Sequence, residues 1–295
     1  MTPEEYLEKV LSQQKMKDSD QEVQDLIKRR DEIRDTLQSR LSRYSPSIKW
    51  AGSRAKGTMI RESYDGDMTC YFDRDENGVG ETLADVHATV KEVLEDDYVV
   101  DVKTSALRIY DKEDRDLHID VIPGRYVDAS RSDVFLHQTT GDKQRLKTNL
   151  DKHIEHIKGS GVTDAICLMK YWKERNNIQA AKTFVLELLV VKTLEGYKNL
   201  SLAEQLVQVW ATFRDESDSL SVEDPANSNN DLSEILSSCR DYLSLVASDT
   251  LSYVENGSWE KVFGDIEEEE SEGEFGNRLL IATKSVKVPT KPWSW

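Results

Sequence analysis

Two neighbouring stretches decide how this chain is interpreted: GSRAKGT at residues 52–58 and DGDMTCYF at residues 65–72. The first follows a short predicted strand at 48–51, and its Gly-Ser turn can open a helix whose free amides hold a phosphate. In the second, Asp65 and Asp67 are two residues apart at the head of a β-rich run. On a strand their carboxylates point to the same face and can share a divalent cation. The two stretches together predict a triphosphate site beside a metal site.

A third carboxylate, Asp120, lies in LHIDVIPG at residues 117–124, where apolar and polar residues alternate as in a half-buried strand. If this strand pairs beside the one carrying Asp65 and Asp67, three carboxylates converge. Without a cation they would repel and raise one another's pKa, so their convergence indicates a metal site. Two Mg²⁺ ions, or Mn²⁺ in their place, would activate an attacking hydroxyl and stabilise the leaving pyrophosphate.

A Gly-Ser turn, an Asp-x-Asp pair and a lone Asp on a later strand resemble the signature of polymerase-β-like nucleotidyltransferases. The fuller strings at 52–58 and 65–67 look like the cGAS/DncV-like nucleotidyltransferases (CD-NTases), which make cyclic oligonucleotide signals in bacterial anti-phage (CBASS) defence. The resemblance covers roughly residues 45–265. It implies an α/β (α+β) fold: a polymerase-β-like nucleotidyltransferase lobe with a mixed sheet, a C-terminal helical lobe, and a long N-terminal helix that braces the sheet.

The resemblance also implies roles for individual residues around the donor nucleotide. Gly52 and Ser53 would hold its β- and γ-phosphates. Lys170 aligns with a lysine that contacts the triphosphate, and Thr183 matches a hydroxyl on the same phosphates. Phe184 falls near the groups around the base, where an aromatic ring that stacks contributes roughly 1–3 kcal/mol. The pattern alone leaves an alternative for each of two residues. Lys170 also fits a solvated basic stripe, and Phe184 also fits a core position.

Composition limits the class of substrate. The 295 residues carry a net charge of −17 and a pI of about 4.8, without a block rich in Lys or Arg. A protein that grips a long nucleic acid normally shows a basic face, so small nucleotides are favoured over an RNA or a duplex. The three cysteines are widely spaced, which predicts reduced thiols. The longest apolar run is too short for a membrane span, and we expect a cytoplasmic protein.

Periodicity divides the chain into two predicted domains. Residues 1–150 form the catalytic lobe with its bracing helix, and residues 151–295 form a helical lobe that closes the nucleotide cleft and ends in a tail. The tail follows an acidic run at 267–274 and contains two tryptophans. In proteins of the resembled family an accessory regulatory protein can act on such a tail; packing of the tryptophans on their own domain is the alternative.

These features predict a metal-dependent nucleotidyltransferase, and the family resemblance implies that it joins nucleoside triphosphates into a cyclic di- or oligonucleotide. ATP is the expected substrate, with GTP or a pyrimidine triphosphate as further candidates. Asp120 would also draw the proton from the attacking hydroxyl. One alternative keeps the site and transfers the nucleotide to an RNA end or a protein side chain. Another is a nucleotide-binding regulator without turnover.

Overall fold

The computed structural model describes residues 1–113, 115–141 and 143–266, and within them a seven-stranded mixed sheet occupies the first half of the chain. The strands are β1 (Ser47–Trp50), β2 (Gly66–Phe72), β3 (Val99–Val102), β4 (Leu107–Tyr110), β5 (His118–Tyr126), β6 (Val134–His137) and β7 (Arg145–Thr148). Their order is β1-β2-β5-β4-β3, with β6 beside the end of β5 and β7 beside β6. β2 and β5 run parallel, and the other pairs are antiparallel.

Helices surround the sheet and form the second half. They are α1 (Pro3–Gln14), α2 (Gln21–Arg40), α3 (Gly52–Lys56), α4 (Leu83–Glu95), α5 (Leu150–Lys158), α6 (Thr163–Arg175), α7 (Thr183–Thr193), α8 (Leu202–Asp215), α9 (Ser233–Ser237), α10 (Arg240–Glu255) and α11 (Glu260–Phe263). Thr2 caps α1 with a capping box, as Thr-Pro-Glu-Glu predicts. None of the helices in the described ranges combines the length and apolar composition that a membrane span requires.

Two large hydrophobic cores organise most of these elements, and a smaller cluster of Tyr71, Tyr126, Val134 and Leu136 packs beside β6. The first lies under the sheet, where Leu26 and Ile33 of α2 and Val90 of α4 pack with strand residues such as Met68 and Ile119. The long bracing helix is therefore confirmed as a support of the sheet. The second core fills the helical half, around the buried rings of Trp172, Trp210, Phe213 and Phe263.

The first helix belongs to the second core, although it lies at the start of the chain. Tyr6, Leu7, Val10 and Leu11 of α1 pack among the helical residues. The carboxylate of Glu4 accepts hydrogen bonds from the first two amides of α8, which satisfies donors that a helix start leaves free. The division at residue 150 stays a prediction, with α1 on the helical side of the packing.

Several elements differ from the sequence-based expectations. The strands β6 and β7 and the helix α5 were not predicted, because they are short, with four residues in each strand and nine in the helix. The sequence pattern predicts one helix at 231–246, whereas the structure has two, α9 and α10, divided near Cys239, and α10 continues to Glu255. Cys70, Cys167 and Cys239 are buried and free, as predicted. The acidic run and the tryptophan-containing tail lie outside the described residues.

Candidate active site

The strand register places two of the predicted carboxylates side by side. Asp67 of β2 and Asp120 of β5 are Cα partners in the parallel pair. Asp65 was expected on the same strand as Asp67, but β2 begins at Gly66 and Asp65 immediately precedes it. Burial of the Asp67 carboxylate, and then the charges of Asp65 and Asp120, hold the pKa of Asp67 well above its usual value. The three carboxylates therefore share one electrostatic environment.

Arg108 is a site residue that the sequence interpretation missed. It lies on β4 directly opposite Asp120, and its Nε and Nη2 donate to the two oxygens of that carboxylate at 2.8 Å each. The two side chains are only 14% and 12% exposed. A bidentate pair of this kind fixes the carboxylate plane. In the sequence, Arg108 is only an arginine on the polar face of a predicted strand. Its role becomes apparent only when the pairing of β4 with β5 is known.

Residues 52–58, called the GSRAKGT loop here, comprise the short helix α3 and the two residues after it. The start of this loop touches the carboxylate wall, which consists of Asp65, Asp67 and Asp120. Ala51 donates its amide to the Asp67 carbonyl at 2.8 Å. Gly52 has φ +61°, and a Cβ on it would come within 1.7 Å of Asp67 Oδ2, so no other residue fits there. The next side chain, Ser53, has a buried Oγ without a hydrogen-bond partner among the described residues. A buried hydroxyl of this kind is a donor available to a ligand.

The end of the GSRAKGT loop is held by the helical half. Lys170 of α6 is 4% exposed and donates from Nζ to the Thr58 carbonyl at 2.6 Å. Burial lowers the pKa of Lys170, while the charge of Glu187 opposes that shift. Its burial rules out the solvated basic stripe, and the contact with a donor phosphate stays a prediction.

Thr183 and Phe184 open α7, as expected from Lys182-Thr183-Phe184. The Phe184 ring is partly buried against the helical core, and its centroid lies 4.8 Å from that of His153. Lys56 Nζ lies 5.5 Å from the same ring centroid, at the distance of a cation–π contact. Phe184 thus packs on the core and borders the GSRAKGT loop at once. The contact of Phe184 with a base and that of Thr183 with phosphate stay predictions.

The donor chemistry of the carboxylate wall fits Mg²⁺ or Mn²⁺, which prefer oxygen ligands. Burial of the Asp67 carboxylate, and then the charges of Asp65 and Asp120, raise the pKa of Asp67, and a bound cation would compensate the negative charge of these carboxylates. Each Asp120 oxygen that accepts one bond from Arg108 retains a second lone pair. Within the described residues, however, no three His, Cys, Asp or Glu side chains are already arranged to enclose a metal ion. Asp65, Asp67 and Asp120 as a metal-binding set therefore stay a prediction.

Comparison with known proteins finds neither a family model nor a curated protein that matches the sequence. Solved structures do match. CdnC of E. coli MS115-1 with ATP is 17% identical over 90% of this chain and 99% of its own, with a TM-score of 0.65, and it has also been solved in a HORMA-deltaN complex. The cyclic dinucleotide synthase CdnE of Elizabethkingia meningoseptica, with GTP and Apcpp, is 14% identical over 86% of this chain and 99% of its own, with a TM-score of 0.63.

The Vibrio cholerae cyclic AMP-GMP synthase DncV, a prokaryotic cGAS homolog, is 18% identical over 75% of this chain and 69% of its own, with a TM-score of 0.58. At these identities the likeness establishes the fold. The α/β nucleotidyltransferase fold that the sequence resemblance implied is therefore confirmed, and DncV, after which the resembled family is named, is among the matching structures.

Proposed function

We propose that this chain is a metal-dependent nucleotidyltransferase that joins nucleoside triphosphates and closes the product into a cyclic di- or oligonucleotide. The observation that carries the proposal is the placement of Asp67 beside Asp120, with Gly52 in contact with Asp67. Carboxylates for a divalent cation and a loop for phosphates then border the same point, which is the arrangement that phosphoryl transfer requires.

Different residues would bind the donor phosphates, hold the metal ions and accept the proton. Gly52 and Ser53 would bind the donor phosphates, with the free Ser53 hydroxyl donating to one of them. Asp65, Asp67 and Asp120 would hold two Mg²⁺ ions, which when bound supply positive charge for the triphosphate and the leaving pyrophosphate. Asp120, oriented by Arg108, would accept the proton of the attacking hydroxyl.

The remaining contacts of the donor come from the helical half. Lys170 and Thr183 would complete the phosphate contacts, and Phe184 would contact the base. Lys170 is buried and donates to the Thr58 carbonyl, so it would also act on the donor indirectly, by supporting the GSRAKGT loop. The aromatic ring of Phe184 lies at the edge of the same loop, within reach of Lys56.

The structural neighbours support small nucleotides as substrates. CdnC was solved with ATP, CdnE with GTP and Apcpp, and the Vibrio cholerae DncV protein with nonhydrolyzable GTP, and two of the three are described as cyclic dinucleotide or cyclic AMP-GMP synthases. We therefore propose ATP, with GTP or a pyrimidine triphosphate, as substrates of a cytoplasmic enzyme whose product serves anti-phage signalling. The HORMA-deltaN complex of the CdnC protein supports an accessory protein partner as part of this proposal.

Nucleotide transfer to an RNA end or to a protein side chain is the second candidate, because it would use the same carboxylates and loop. The net charge of −17 disfavours RNA as the acceptor. Incubation of the protein with labelled ribonucleoside triphosphates alone, with Mg²⁺ or Mn²⁺, separates the two. Self-contained synthesis yields a phosphatase-resistant small product that mass spectrometry identifies.

The site itself is tested by the double substitution Asp65→Ala with Asp67→Ala. We expect product formation to be lost while circular dichroism and the unfolding transition show a folded protein. The matched control is Asp73→Ala with Asp75→Ala, an Asp-x-Asp pair that directly follows β2 and lies at the surface. Retained synthesis in the first variant would refute the site.

A further inference from the structure

Glu187 is an acidic residue in the middle of an apolar helix. Its side chain is 1% exposed, and its neighbours on α7 from Val185 to Val190 are buried apolar residues. A carboxylate in such surroundings loses its hydration and requires partners with good geometry. An apolar residue at this position would stabilise the helical core at least as well, so core stability alone does not explain Glu187.

Both hydrogen-bonding partners of Glu187 come from the GSRAKGT loop. Lys56 Nζ lies 2.6 Å from Oε2, and Thr58 Oγ1 donates to Oε1 at 2.8 Å. Thr58 is fully buried, and its carbonyl accepts the bond from Lys170. The end of the loop is therefore fixed by side chains of two helices, through one charged pair and two further hydrogen bonds.

The opposite end of the loop is fixed by the sheet, through the contact of Gly52 with Asp67. Ser53, with its free buried hydroxyl, lies between the two attachments. The position of this hydroxyl relative to the carboxylates thus depends on how α7 holds the loop.

We propose that Glu187 is a positioning residue of the transferase, which holds the GSRAKGT loop in the geometry that binds the donor triphosphate. The inference rests on the proposed function, because it assigns the loop to the donor phosphates. Glu187 acts through Lys56 and Thr58 and does not touch the nucleotide. Positional errors of about 1 Å in such supporting structure lower activity by about 100-fold.

The first test is Glu187→Gln, which keeps an acceptor for Thr58 and removes the charge that pairs with Lys56. We expect kcat/KM for the triphosphate to fall about 100-fold, mainly through a higher KM, at a temperature well below the unfolding midpoint. The control is Lys173→Met on α6, which removes another buried lysine with a carboxylate partner away from the loop. This control should lower the midpoint without changing KM.

Thr58 supplies the second test, which separates position from stability. Thr58→Ser keeps the hydroxyl that donates to Glu187 and should retain the wild-type KM. Thr58→Val keeps the volume, loses the hydroxyl, and should raise KM as Glu187→Gln does. Unchanged KM in both Glu187→Gln and Thr58→Val, with only a lowered midpoint, would overturn the inference.

Binding of a non-hydrolysable ATP analogue with Mg²⁺, measured by calorimetry, distinguishes this inference from the proposed function. If the wild type binds the analogue but forms no product, the proposed synthesis fails, and weaker binding by Glu187→Gln still supports the positioning role. If the wild type forms product and Glu187→Gln binds equally well, the positioning role fails alone. Absence of binding by the wild type would overturn both.

Discussion

The two sides of the candidate active site are held in place by different kinds of bond. On the carboxylate side, Asp67 and Asp120 lie on paired strands, so backbone hydrogen bonds of the sheet set their relative position. On the side of the GSRAKGT loop, the positions of Lys56 and Thr58 are set by side chains that reach from helices. On the carboxylate side a side chain is added to the backbone pairing only at Asp120, which Arg108 holds, whereas the loop side depends on a few polar side-chain contacts in a dry interior.

The largest expected effect tests whether the carboxylate side depends on backbone pairing alone. Arg108→Met leaves the Asp120 carboxylate mostly buried without its bidentate partner, and loss of one member of such a pair costs about 3–5 kcal/mol. We expect a lower free energy of unfolding in urea and a lower rate of product formation. The matched control, Arg131→Met, removes an exposed bidentate contact with Asp73 and should change neither. Wild-type behaviour of Arg108→Met would show that strand pairing suffices.

A smaller effect is expected on the loop side from Ser53→Ala. The Ser53 hydroxyl is buried and has no partner among the described residues, so its removal should not lower the free energy of unfolding. A hydrogen bond to a charged phosphate is worth about 1.5–3 kcal/mol, which predicts about 10-fold or greater loss of affinity for the ATP analogue. Calorimetry measures the affinity, and Ser252→Ala on the exposed face of α10 is the control. Equal affinity would remove Ser53 from the donor site.

The smallest effect concerns the charge on the carboxylate side in metal-free buffer. The raised pKa of Asp67 means that the folded protein binds this proton more readily than the unfolded chain. The ionised Asp67 carboxylate therefore lowers the free energy of unfolding. This effect is fully present above the pKa of Asp67 in the folded protein and is lost as the pH falls towards its pKa in the unfolded chain. We expect Asp67→Asn to raise the unfolding midpoint at neutral pH in chelator, and this gain over the wild type to shrink as the pH falls.

Adding a divalent cation provides a second comparison of the wild type with Asp67→Asn. At neutral pH, Mg²⁺ or Mn²⁺ should raise the unfolding midpoint of the wild type, because a bound cation compensates the charges around Asp67 and stabilises the folded state. The same addition should have little effect on Asp67→Asn, which lacks the central carboxylate. An equal shift in both proteins would indicate that the cation binds elsewhere.

The two sides also differ in how well the sequence predicts them. The alternation around Asp120 and the spacing of Asp65 and Asp67 predict strands, and the short β-rich segments predict that they pair. Arg108 was missed because its partner is defined by strand register, which the sequence pattern does not contain. Local patterns therefore predict the carboxylate wall and leave its arginine unassigned.

In the sequence, Glu187 is only an interruption of the apolar run near residues 184–191, because its partners lie 131 and 129 residues earlier in the chain. Lys170 was expected at the site from the family resemblance. Its hydrogen bond to the Thr58 carbonyl is a tertiary contact, which the periodicity of the sequence cannot predict. The position of the GSRAKGT loop therefore depends on contacts between segments that are distant in the sequence, and these contacts can be identified only from the folded structure.

The placement of α1 has a practical consequence for handling the protein. Residues at the beginning of the chain close the helical core and cap α8, and the Tyr6 hydroxyl donates to the carbonyl of Gly264, 258 residues later. Trimming the first fourteen residues would expose apolar surface on the half of the molecule that contains Glu187 and Lys170. Fusion partners and affinity tags at the N-terminus therefore need a spacer, and a shortened variant would be expected to aggregate before its chemistry could be assayed.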